Sequence, residues 1–71
     1  MRILTAREYG TIITALKELK KVELKEAATF AAYNTDEFWK LATLSRDNAA
    51  EIERIIEKLD KNILDLVSWE R

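Results

Sequence analysis

From Phe38 to Leu66 the residues Phe38, Ala42, Ser45, Ala49, Ile52, Ile56, Leu59, Ile63 and Leu66 follow one another at alternating steps of four and three, all apolar except Ser45. That spacing lays a narrow stripe along one side of an α-helix, and only another helix keeps such a stripe out of water. It predicts a long heptad-patterned helix running toward Trp69. Ser45 or Asp47 could cap a fresh start within it, but the unbroken stripe argues against a full break. On its outer side Glu57 precedes Lys61 by four residues and Glu51 precedes Arg54 by three, as on a solvated surface.

An earlier apolar face is formed by Tyr9, Ile12, Ile13, Leu16 and Leu19. Its start is marked twice. Thr5 and Glu8 have the spacing of a capping box, and Leu4 and Tyr9 that of a hydrophobic staple. Gly10 lies inside this helix at a cost of about 1 kcal/mol relative to Ala, which suggests close packing by a neighbouring element. Around Lys20-Lys21-Val22-Glu23 the pattern falters, because a continuing helix carries Lys20 and Glu23 onto the apolar face. A turn there is preferred over one helix continuing to Tyr33. Leu24, Ala27, Ala28, Phe30 and Ala31 resume the face with small residues that allow close approach. Tyr33-Asn34-Thr35 is the clearest boundary, with Asn34 or Thr35 as the next cap and Asp36 and Glu37 in the electropositive first turn that follows.

Composition narrows the picture. The chain has 71 residues with no Pro, one Gly, and an abundance of Ala, Leu, Ile, Glu and Lys, so its preference is helical nearly throughout. The expected fold is a single all-α domain over residues 1–71. It is a small helical bundle of three to four helices, or a long helical hairpin, completed by dimerisation. Chains of this size often need disulfides, metals or self-association. With no Cys and no His, the first two are removed in their usual forms, and a homodimer is expected. The heptad stripe would supply its interface through Ala49, Ile52, Ile56, Leu59, Ile63 and Leu66. Whether the stripe closes within one chain or between two is open at this level.

Net charge is −1, from twelve basic and thirteen acidic residues, so no global field draws in nucleic acid or an anionic membrane. No signal-peptide core and no spanning segment is read, and a soluble, cytoplasmic protein is expected. Ile63, Leu64, Leu66, Val67 and Trp69 bunch near the C-terminus. Asp60, Asp65 and Glu70 beside them do not suit an anionic lipid surface. No catalytic, cofactor or metal site is expected. Glu53 and Glu57 share a helix face, but carboxylate metal sites of that spacing normally add His ligands.

The stretch LKEAATFAAYNTDEFWKLA, Leu24 to Ala42, resembles the helix-turn-helix motif of DNA-binding regulators. Ala27, Ala28, Ala31, Tyr33, Phe38 and Leu41 occupy its small or apolar positions and Asn34 its cap. It departs from the motif at Ala32, where Gly commonly makes the turn, and at Tyr33, which is larger than the usual aliphatic residue. The resemblance implies that Thr35, Asp36, Trp39 and Lys40 face the major groove while Lys17, Lys20, Lys21 and Lys25 touch phosphates. A recognition helix that opens on two carboxylates repels the duplex it enters. The leading expectation is therefore a small non-enzymatic regulatory or adaptor protein acting through helix-mediated protein contact, with a dimeric DNA-binding regulator as the alternative.

Overall fold

The computed structural model describes residues 3–68. Two long helices form an antiparallel hairpin, α1 over Ala6–Ala32 and α2 over Asp36–Lys61. A single turn, α3 at Ile63–Leu66, follows them. At the open end Leu4–Thr5 (β1) pairs in parallel with Val67–Ser68 (β2), matching Leu4 to Val67 and Thr5 to Ser68. Ile3 N–H extends the pairing to the Leu66 carbonyl at 3.0 Å. The all-α expectation holds in its hairpin form.

The first helix starts where its cap predicts. Thr5 Oγ1 accepts from Glu8 N–H at 3.0 Å, and Glu8 Oε1 accepts from Thr5 N–H at 2.9 Å. Those bonds, the backbone one foremost, lower the Glu8 pKa. The helix then runs unbroken through Lys20–Glu23, correcting the expected turn there. The physical reason lies across the hairpin, where Lys20 Nζ meets Glu53 Oε2 of α2 at 2.8 Å. A lysine on the inner stripe is tolerated because its stem covers apolar surface and its ammonium reaches a carboxylate at the edge. Gly10 corrects a second expectation. A Cβ built there meets nothing within 4 Å, so no neighbour packs on it.

The turn is short. Asn34 adopts φ 53, the left-handed conformation that Asn tolerates better than most residues, and its N–H bonds the Ala31 carbonyl at 3.3 Å. Thr35 is the cap, its Oγ1 accepting from Phe38 N–H at 3.3 Å. Across the turn the Phe38 ring stacks on Tyr33 at 4.7 Å between centroids and faces Phe30 at 5.9 Å.

The core lies along the α1–α2 contact: Tyr9 and Ala27 from α1; Ala42, Ser45, Ala49, Ile52 and Ile56 from α2. Small residues at Ala27, Ala42, Ser45 and Ala49 bring the helices close. Ser45 does not break α2. The helix nonetheless ends at Lys61, short of the expected run toward Trp69, which itself lies outside the described residues. Asn62 caps the end, its side chain donating to the Lys58 carbonyl at 2.8 Å. Ile63 and Leu66 therefore belong to the α3 turn. Val67, off the heptad stripe, is fully buried because the chain becomes extended there and its side chains alternate with period two.

Candidate interaction surface

The heptad stripe is covered within one chain. Ala49, Ile52 and Ile56 are buried against α1, and Leu59, Ile63 and Leu66 are half-buried. Ala49, Ile52 and Ile56 are therefore out of a partner's reach while this hairpin stays intact.

One flank of the hairpin is tied by polar cross-links. Tyr9 lies at the inner edge of α1, and its hydroxyl donates to the Asp60 carboxylate of α2. Burial first, and then that neighbouring carboxylate, push the Tyr9 phenol up to about 12. About three turns further along α1, Lys20 meets Glu53 in the same manner. Lys17, Lys20, Lys21, Leu24 and Glu53 line a shallow groove on this flank, which shows that the Lys17 and Leu24 side of α1 adjoins the Glu53 side of α2.

The opposite flank follows from helical phase. At about 100° per residue, Ile12 and Leu19 lie on the side of α1 away from Lys17 and Leu24. By the same phase Leu41, Leu44 and Ile55 lie on the side of α2 away from Glu53 and Asp60. All five are exposed, Leu44 at 57% and Leu19 at 47%. Both helices thus contribute large aliphatic side chains to one water-facing surface. Glu8, Glu26 and Glu51 share this side by the same phase, and Arg54 holds the Glu51 carboxylate and lowers its pKa.

The residues assigned to DNA contact are not brought together as that motif requires. A 27-residue helix is about 40 Å long, so within an envelope of 53 × 16 × 12 Å both long helices must run along the long axis. The steep crossing of a helix-turn-helix is absent, which corrects the geometry implied by the resemblance. Thr35 is spent on capping, Asp36 is exposed in the first turn, and Trp39 stands 5.9 Å from the Arg46 guanidinium. Lys40 points away from the Trp39 side by helical phase. Lys17 and Lys25 are exposed, Lys21 reaches Glu18 at 3.5 Å, and Lys20 is engaged by Glu53. Among the described residues no helix is long and apolar enough to cross a membrane, and no group of His, Cys, Asp or Glu is placed to hold a metal ion.

No protein-family model matches this chain, and comparison with curated proteins and with solved structures returns no similar one. The surface has to be read from its own chemistry. The heptad pattern located the inner stripe. The signal for the exposed flank was also present, in Ile12, Leu19, Leu41, Leu44 and Ile55, but its meaning depended on which sides of the two helices coincide.

Proposed function

We propose that this is a small non-enzymatic regulatory or adaptor protein that works by helix-mediated contact with another polypeptide. The observation that carries the reading is the exposed aliphatic flank shared by α1 and α2. A hairpin stabilised only within itself has no use for five large apolar side chains on one side. Such patches characteristically mark association surfaces. The groups best suited to general acid–base or nucleophilic work, His and Cys, do not occur in the chain.

The test is retention of partners by immobilised chain, wild type against Leu19→Glu/Leu44→Glu, under conditions where both are helical by circular dichroism. Partners held by the wild type and lost from the variant are the expected result. Equal retention by both, or retention by neither, overturns the reading. Anisotropy with a labelled duplex at low and physiological salt separates the alternative: tight binding that collapses with salt would replace protein contact by DNA contact.

A further inference from the structure

We infer that the occupant of the exposed flank is a second copy of this chain, packed face to face to give a four-helix assembly. The inference rests on the association reading above and names its partner. The first support is area. A compact monomer of 8.3 kDa exposes about 4,600 Å², whereas this chain exposes 5675 Å². Its radius of gyration is 15.9 Å, against about 11 Å for a compact domain of this length. The excess belongs to a layer only one helix deep, which has water on both broad faces.

What a second copy would bury matches what a stable dimer needs. The broad face measures 53 × 16 Å, roughly 850 Å², and a standard interface takes about 800 Å² from each partner. Covering it brings the surface per chain close to that of a compact protein.

Symmetry supplies the second support. Because the flank is built from both helices, a two-fold axis in its plane sets aliphatic surface against aliphatic surface. The same patch serves both subunits, as a closed dimer requires. The result is the four-helix arrangement in which apolar stripes of antiparallel pairs face one core. The opposite flank exposes fewer large apolar side chains, Leu24 and Trp39, set among Lys17, Lys20, Lys21, Glu53 and Asp60, and stays in water.

Leu19 is the central residue of α1, which spans Ala6–Ala32. With the two-fold axis running across the long axis, the copies are antiparallel, α1 packs on the partner's α1, and Leu19, near the middle, faces its own symmetry mate. Glu8, Glu23, Glu26 and Glu37 lie on the same side by helical phase, with Lys40, Lys58 and the Arg54-paired Glu51 at its outer edge, so the face is net acidic and association is opposed by like charge and strengthened by screening. A basic helical partner on this flank would respond to salt with the opposite sign.

Sedimentation equilibrium tests the proposal directly. The wild type is expected at twice 8.3 kDa at tens of micromolar. Leu19→Glu/Leu44→Glu, which buries carboxylates in the interface, is expected to raise the dissociation constant by about 100-fold or more. Increasing salt should tighten the wild-type dimer or leave it unchanged. Since the chain has no cysteine, Leu19→Cys gives a second measurement that needs no tolerance of buried charge. It should form an intermolecular disulfide at least about 10-fold faster than Thr14→Cys, which lies on the outer side of α1 by helical phase. A monomeric wild type at millimolar concentration overturns the proposal, as does an unchanged dimer in the double-glutamate variant, weakening by salt, or equal cross-linking at the two positions. A monomer that still retains another protein through Leu19 and Leu44 removes only the second copy. Loss of both results removes the association reading as well.

Discussion

The two flanks of this hairpin divide labour in a way that neither helix reveals alone. On one side Tyr9–Asp60 and Lys20–Glu53 tie α1 to α2 at two levels, fixing how far one helix slides along the other. On the other side Ile12, Leu19, Leu41, Leu44 and Ile55 remain in water. Polar groups are satisfied pairwise and need no further partner. Apolar surface is satisfied only by being covered, and the second flank leaves more of it in water than the first, where Leu24 and Trp39 stand exposed among the polar groups. Register is thus set on one side of a small layer, and most of the exposed aliphatic surface lies on the other.

The comparison can be broken first at the stripe between the flanks. Ile56→Asp with Leu59→Asp puts two charges into the helix–helix contact, and loss of the helical circular dichroism signal at 25 °C is expected. By contrast, Leu44→Glu at the open flank should change the stability of the dilute chain by no more than about 0.5 kcal/mol. Equal effects from the two sites would erase the distinction between core and open face. Ile52→Ala should cost about 2–4 kcal/mol by urea unfolding, since that side chain is buried between the helices.

Smaller changes sharpen the tied flank. Tyr9→Phe removes a hydroxyl bonded to a carboxylate at the surface, with an expected loss of about 1 kcal/mol. The pH dependence has a definite sign. Burial and the Asp60 carboxylate push the folded-state phenol up to about 12, above the ordinary tyrosine value of about 10, so its contribution is complete below pH 10 and is lost as pH rises through 12. Unfolding followed across that window should show the decline in wild type, and the Tyr9 share of it should vanish in Tyr9→Phe. Gly10→Ala should raise the melting temperature, by the equivalent of about 1 kcal/mol, because the new methyl meets open space and the helix gains propensity. A fall instead would mean that something packs on Gly10 after all.

Much of this organisation was legible in the residues. Thr5 and Glu8 announced the first cap, Tyr33-Asn34-Thr35 the turn, and the steps of four and three the inner stripe of α2. Lys20 and Glu23 misled because a charge on an apolar stripe reads as a break. It is resolved by Glu53, a residue 33 positions away whose proximity no local pattern encodes. The burial of Val67 was not legible for a different reason. Its burial depends on the chain leaving helical geometry after Leu66, where β1 offers backbone partners at the open end.

The helical class, the first cap, the place of the turn and the inner stripe of α2 were determined by the sequence alone, because each rests on interactions within a few residues. Only the tertiary structure decided that α1 continues through Lys20, that the stripe closes on the same chain, and which apolar residues remain outside. Those outcomes depend on the relative rotation and register of two helices, quantities set by contacts between residues distant in the chain.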